Sequence, residues 1–518
     1  MLIRRYFSRT LLVSDNAILG YLALIKFLLP FLTSTEFEFH RDELLYIAMG
    51  NHLAWGYLEV PPGIAVLAAI AREFLGDTIF AVRFFPALSG AAMVILCGLM
   101  ARELGGGRFA QILAAIAFIM SPAFLRSNVL FQPVSFDQFY WTLGAYLVIR
   151  LLKKDDLNLW SALGVVCGIG LLHKYTMLLF GFGLLTGLIA TPERKRLLTP
   201  GPWLAAALAL LIVLPNLIWQ HHQHWPLFEH LTALSRYQLA HVEPAGFVLM
   251  QILMSFLAFP VWMIGLGFLL FSGEDKPYRV LGWMYVAALA VLLFLSGKAY
   301  YLLPAYPMLF AAGAFAIEKY VRQRQRGWLK VAVPAFIILG NAGTLPYGIP
   351  FLPIESFQNY AQFMAQHFGL TEPLRWESGR LHPLPQDYAD MLGWENQAAE
   401  AARVYHRLSP SEQSRCAILA SNYGEAGAID YYGKTYRLPK AISYHGSYYL
   451  WGPGDATGEI VITIGIDAED LQPYFSEIQT AAIITHPFAR ENDVPINVCR
   501  NAKTTLQEIW PQLATYRF

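Results

Sequence analysis

Among the carboxylates in or beside apolar stretches of this chain, four are candidates for chemistry: Asp42, Glu43, Glu59 and Asp137. A carboxylate at a membrane boundary is costly to desolvate, so it is retained where it has a partner or does chemistry. Asp42 and Glu43 lie a few residues past the first apolar run, in HRDELLYIAMGNHLAWGYLEVPPG. On a helix, neighbours face different directions, so Asp42 and Glu43 are separate candidates; the plain alternative is that they only open a solvated loop. Glu59 stands before Pro61-Pro62, a pair that breaks helices and favours an extended entry. Asp137 sits among Phe136, Phe139, Tyr140 and Trp141, where it needs a partner, a cavity or a substrate unless it serves a helix first turn. His173-Lys174 and Lys298 occupy tight turns between apolar runs, and Tyr300 and Tyr301 follow Lys298. Snorkelling to headgroups is the ordinary role for such lysines. Together they could also hold a phosphate or pyrophosphate at the membrane surface. Asn216 and Gln220 are four residues apart and could both face a polar cavity. The nearby His221, His222 and His224 share no helical face and read as an interfacial belt rather than a metal site.

These residues must be positioned by a membrane domain. Of 518 residues, 56% are hydrophobic and only 14% charged, with a mean hydropathy of +0.40. A soluble domain carries nearer a quarter charged residues. Up to about residue 346 the sequence reads as apolar runs long enough to cross a bilayer. They fall at about 16–33, 84–101, 109–122, 136–149, 159–172, 175–190, 203–218, 246–272, 280–296, 300–317 and 331–346, roughly eleven spans. Residues 63–75 are apolar but short, and are expected to lie along the interface or pack on the bundle. Residues 1–349 are thus expected to form the membrane domain and 350–518 a soluble one.

Counting Lys and Arg in alternate loops gives eighteen on one side, including Arg4, Arg5, Arg9, Arg102, Arg194 and Lys319, against seven on the other. The positive-inside rule puts the richer side and the N-terminus in the cytoplasm. An odd number of spans then puts the C-terminal domain outside. The outer loops are the long or densely marked ones, and all the candidates above fall on them. The net charge of +1 implies no attraction to nucleic acid. No GxGxxG, Walker loop, GxSxG or HExxH is present. Cys416 and Cys499 read as buried strand cysteines, with a disulfide between them as the alternative; no cysteine or histidine cluster has zinc spacing.

DELLYIAMGNHLAWGYLEVPP, SFDQFYWTL, LLHKYTMLLFGFGLL with TPERKR, PNLIWQ with HWP, and GKAYYLLPAYP resemble, in order and sidedness, the bacterial family 39 glycosyltransferases. These belong to the dolichyl-phosphate-mannose protein mannosyltransferase superfamily, with the aminoarabinose lipid A transferase and the lipopolysaccharide-core galacturonosyltransferases. In the tail, SNYGEAGAIDYYG and SYHGSYYLWGP are similar to the outer domain of the same proteins. The resemblance implies a GT-C fold in a multi-pass protein of the bacterial inner membrane. It implies a polyprenyl-phosphate-linked sugar donor, inverting transfer and a lipid, glycan or protein acceptor. Asp42 matches the family's first-loop catalytic aspartate and Asp137 its second acid; Lys174 and Lys298 match positions near the lipid phosphate. Where the lipid A enzymes carry Glu-Lys-Pro-Pro, this chain has Glu59-Val60-Pro61-Pro62, so a phosphate contact from that position is missing and the lipid A acceptor loses support.

The mechanism expected has Asp42 as base, Asp137 as orienter of acceptor or sugar hydroxyls, and Lys174 and Lys298 on the leaving phosphate. No cofactor is implied outright; a divalent cation bridging Asp42, Glu43 and the phosphate is the rival arrangement. A membrane transporter or flippase of polyprenyl-linked substrates is the alternative function, and a non-catalytic scaffold displaying the tail is a third. Neither repeats nor midplane charges of the transporter kind are found. The tail reads as a small α/β layered domain: a helical stretch over 386–408, then strand CAILA, helix AIDYYG, strand EIVITIGI, helix AEDLQPYF, strands AAIITHPF and INVCR, and helix LQEIW. Asn422-Tyr423-Gly424-Glu425 follows a strand's carboxyl end, where such sheets often bind ligands, while Glu425 could simply cap a helix. The tail is expected to cover the catalytic cavity from the acceptor side.

Overall fold

The computed structural model describes residues 14–236, 243–273 and 276–517. Arg4, Arg5 and Arg9, counted above as cytoplasmic anchors, lie outside the described residues. All eleven expected spans fall on helical segments. Among the described residues, five helices are long and apolar enough to cross a membrane: Asp15–Leu32, Ile79–Glu103, Pro200–His222, Lys276–Phe294 and Ala299–Gln323. Arg108–Met120, Leu157–Leu171, Met177–Ile189 and Leu329–Ala342 are apolar but shorter. The expected span 246–272 is instead two helices, Pro244–Leu253 and Phe256–Phe271, bent by 86°. Phe256 at the break has φ +43, and Pro260 in the first turn of the helix Phe259–Phe271 has no N–H to extend the ladder backwards. Counting the bent pair as one span gives up to six long crossings among the described residues, so eleven full-length crossings are not established.

The two sets of loops gather at opposite ends of the bundle. At one end Arg108 pairs with Asp15, Lys153 with Glu103 and Arg196 with Asp155. At the other end lie the candidate residues and the C-terminal domain. There the apolar segment Gly63–Leu75 is a helix packed on the bundle: its Gly63 N–H donates to the Leu172 carbonyl, 2.6 Å.

The tail holds a five-stranded sheet in the order β2-β1-β3-β5-β4, with β1 Cys416–Ala420, β2 Ala441–Ser443, β3 Ile460–Ile464, β4 Phe475–Ile484 and β5 Val494–Ala502. β2 and β3 pair parallel with β1, while β5 runs antiparallel to both β3 and β4. β2 was not expected, since AIS is too short to show a period. Cys416 and Cys499 sit on β1 and β5 as free thiols. The tail packs directly on the rest. Leu44, Leu45 and Tyr46 share one apolar cluster with Ile418, Ala426 and Ile462, and Phe37 and Leu130 share another with Phe357 and Tyr388. A boundary at residue 350 therefore divides the sequence, while the apolar packing continues across it.

Candidate active site

The first outer loop forms a short helix, Arg41–Asn51, and its first turn fixes both acids. The His40 ring Nδ1 accepts the Asp42 N–H, 3.1 Å, and the Glu43 carboxylate accepts the His40 N–H, 2.9 Å. These bonds satisfy amides that a helix start leaves unpaired, and the acids suit the positive end of its dipole. One residue apart, the two carboxylates go separate ways.

Asp42 opens into a cavity of about 800 Å³. One oxygen accepts from the Tyr423 hydroxyl, 2.9 Å, and the other from the Gln132 amide, 3.0 Å. Gln132 is placed by Pro133, whose fixed φ and missing N–H start the helix Pro133–Lys153. Tyr423 is placed by the tail, at the first position of the helix Tyr423–Tyr432. That helix leaves the carboxyl end of β1, whose two parallel neighbours lie on either side. This is the switch point where open sheets of this kind form crevices.

Glu43 does not line the cavity. It is fully buried, receives two hydrogen bonds from Arg83, at 3.0 and 2.8 Å, and accepts the Phe131 N–H at 2.8 Å. Burial alone would raise its pKa, yet Arg83 and the two backbone amides hold it below the usual carboxylate range. With both oxygens spent, Glu43 cannot bridge a cation to Asp42 in this geometry. Glu59 is also consumed: both oxygens accept from Ser447, one from its N–H at 2.8 Å and the other from its hydroxyl. It anchors the tail. Burial, opposed by the Ser447 bonds, raises its pKa.

Asn216 and Gln220 do face one polar point, as their spacing predicts, but that point is protein. Asn216 accepts from the Tyr175 hydroxyl, 2.9 Å, and donates to the Trp55 carbonyl, 2.7 Å; Gln220 donates to Tyr175 and accepts from Leu227 N–H. They brace the first outer loop against the helix Pro200–His222. His173 lies under Gly63, its Nδ1 3.0 Å from the Ile169 carbonyl oxygen, and lines a separate apolar cavity of about 380 Å³ with Trp55 and Leu67. These three residues therefore lie away from the cavity of Asp42.

The lysines converge. Lys298 lines the cavity and pairs with Glu377 of the tail, 3.0 Å. Lys174 Nζ lies over the Tyr300 and Tyr301 rings, 5.1 and 4.8 Å from their centroids, and Tyr300 lines the cavity. Burial pushes the Lys174 ammonium down to about 8; Asp137 opposes this and Lys298 adds to it. Asp137 is buried beside this group and accepts the Thr176 hydroxyl, 2.8 Å. Neither Asp137 nor Lys174 lines the cavity itself; Lys174 reaches it through the Tyr300 ring, and Asp137 acts on Lys174 by charge.

Several residues that the sequence reading passed over complete the cavity. Arg126 donates to Asp387, 2.8 Å, Arg490 to Asp390, 3.2 Å, and Arg41 pairs with Glu491, 3.4 Å. Asp387, Asp390, Arg490 and Glu491 all come from the tail, and only their distant partners could have revealed them. His40, Asp387 and Asp390 bring ligand-type atoms within 4.8 Å of one another. Their donor set suits a proton better than a metal. His40 Nδ1 already accepts a backbone N–H, so the neutral ring carries its proton on Nε2, which faces the two carboxylates at 3.8 and 3.9 Å. Arg41, Arg126 and Arg490 supply the balancing charge. A cation on Nε2 would have to displace the one proton the ring holds.

Against known proteins, residues 59–219 match the family model described as dolichyl-phosphate-mannose-protein mannosyltransferase. ArnT from Cupriavidus metallidurans, solved bound to undecaprenyl phosphate, superposes with a TM-score of 0.58 over 93% of this chain and 97% of that one, at 13% identity. The fold is the GT-C fold. The resemblance to family 39 read in the sequence is borne out by the family match and by curated relatives. The undecaprenyl phosphate-alpha-4-amino-4-deoxy-L-arabinose arabinosyl transferase of Pseudomonas savastanoi pv. phaseolicola is 27% identical over 262 residues, 44% of this chain and 48% of the relative. The similarly named arabinosyl transferase 2 of Pseudomonas fluorescens is 30% identical over 213 residues, 37% of each. The chain thus spans about half or less of the length of these two relatives. Asp137 and Lys174 lie within the family-matched segment of the GT-C domain, while Asp42 and Tyr423 lie outside it.

Proposed function

We propose that this protein transfers a sugar from a polyprenyl-phosphate donor to an acceptor hydroxyl at the extracytoplasmic face of the bacterial inner membrane, with inversion. The observation that carries the reading is that Asp42 shares one cavity of about 800 Å³ with Lys298 and with Tyr300, the ring beneath Lys174. A base and a cationic wall are what this displacement needs. Asp42 takes the proton of the acceptor hydroxyl, whose oxygen attacks the anomeric carbon. The bond from that carbon to the phosphate oxygen breaks, and the lipid phosphate departs toward Lys174 and Lys298. Lys298 is held by Glu377 in this structure, so an incoming phosphate competes with that carboxylate. Asp137 keeps Lys174 charged and Thr176 in place. The relatives' names support the donor class, since they specify undecaprenyl phosphate-linked aminoarabinose.

No step needs a bound cation, so transfer is expected to survive EDTA; abolition by EDTA with recovery on adding a divalent ion would overturn this part. The reading as a whole is tested by reconstituting the protein with a panel of polyprenyl-phosphate sugars and an envelope lipid and glycan extract. Release of lipid phosphate, with the sugar appearing on an acceptor, is the expected result. No release from any donor, with donor crossing the bilayer, would favour a flippase.

A further inference from the structure

The C-terminal domain reaches the proposed base through one side chain. Tyr423 comes from the tail, 381 residues from Asp42 in the chain, and its hydroxyl donates to an Asp42 oxygen at 2.9 Å. Nothing about the ring is loose. The Arg41 guanidinium carbon lies 4.8 Å from the ring centroid, and His445 stacks on the ring, 5.1 Å between centroids at 26°. These contacts hold the ring while its hydroxyl is directed at Asp42.

The helix that carries Tyr423 is itself pinned. Asn422 caps it, accepting from Gly424 N–H and Glu425 N–H at 2.9 and 3.2 Å, and Glu425 returns a bond to Ser421 N–H at 2.9 Å. Burial pushes Glu425 up to about 8. The helix meets the Arg41–Asn51 helix at glycine: a Cβ on Gly427 would lie 2.8 Å from Leu44 Cβ and 3.1 Å from its carbonyl carbon. Two helices so close transmit the position of one to the other.

We propose that Tyr423 is a positioning residue for Asp42, so that the C-terminal domain is a working part of the active site and not only its cover. The inference rests on the reading of Asp42 as base. The Tyr423 and Gln132 donors fix the carboxylate plane and leave a lone pair of each oxygen for the acceptor proton. The titratable and charged groups facing the pair are His40, Arg41, Tyr46, Glu59, Tyr300, Asp390 and His445.

The test is Tyr423→Phe in the full-length reconstituted protein, beside Asp42→Asn, with kcat and KM measured across pH. Tyr423→Phe is expected to lower kcat about tenfold to a hundredfold, the usual effect of a lost bond to a charged acceptor. It should leave the donor KM within about twofold, so that the loss falls on kcat. An unchanged kcat, or a loss confined to KM or to melting temperature, would overturn the proposal. If Tyr423→Phe does not fold, Gly427→Ala, which forces the tail helix off Leu44, is expected to lower kcat in the same way with donor KM retained, and an unmoved kcat there overturns it equally. If Asp42→Asn is fully active, the base reading falls. If Asp42→Asn is inactive while Tyr423→Phe matches the parent, only the role of Tyr423 falls.

Discussion

Lys174 is the cation whose charge the surrounding pH sets. Its folded value is about 8, lowered first by burial, so it is protonated below that pH and loses its charge as pH rises through it. If it neutralises the leaving phosphate, transfer should fall above about pH 8, and Lys174→Arg, charged throughout, should flatten that basic limb. A basic limb unchanged in Lys174→Arg would remove Lys174 from the mechanism. At this scale the sequence was most informative where chemistry and position coincide. Asp42 and Lys298 stood out as charges on a membrane edge, and both line the cavity. Glu59, Asn216 and Gln220 stood out by the same logic, but their polar atoms are met by Ser447, Tyr175, Trp55 and Leu227. A sequence shows that a buried polar group needs a partner; it does not show whether the partner is protein or substrate.

Among the elements, the Arg41–Asn51 helix holds the site together, and the Glu43–Arg83 pair fastens it to the helix Ile79–Glu103. Breaking a buried pair by removing one partner leaves an uncompensated charge and costs about 3–5 kcal/mol. Glu43→Ala should therefore lower the melting temperature in detergent sharply, whereas Asp42→Asn should move it little. Equal melting temperatures for Glu43→Ala and the parent would return Glu43 to the list of catalytic candidates. The periodicity of the spans was legible because apolar length is a local property. The 86° break at Phe256 was not, although Pro260 marked where a helix could restart.

For the whole molecule, the tail is built into the membrane domain through shared apolar clusters, the Glu59–Ser447 contact and the ion pairs of Arg41 and Arg126. Ser447→Val keeps the N–H donor but removes the hydroxyl, so one oxygen of buried Glu59 loses its Ser447 bond and the tail should loosen. The loosening would show as faster release of a C-terminal fragment by protease; unchanged protection would mean the apolar clusters suffice. Orientation is checked with single cysteines at two exposed positions. Ser378→Cys, near the cavity end, should react with an impermeant maleimide in intact spheroplasts, and Gln325→Cys, at the opposite end, only after lysis. The reverse pattern would invert the topology. The strand order of the tail was partly legible from alternating apolar runs, but its docking was not. Tyr423 and Asp42 are joined only in three dimensions, and nothing in SNYGEAG signals a bond to a residue 381 positions away.

Asp42 as base is the centre of the proposed mechanism. The most direct measurement is single-turnover transfer by Asp42→Asn, with donor binding measured on the same preparation. Loss of a general base costs about 10²–10⁴-fold. A fall of that size with donor binding retained is the expected result, and transfer at the parental rate would contradict the role of Asp42 as base.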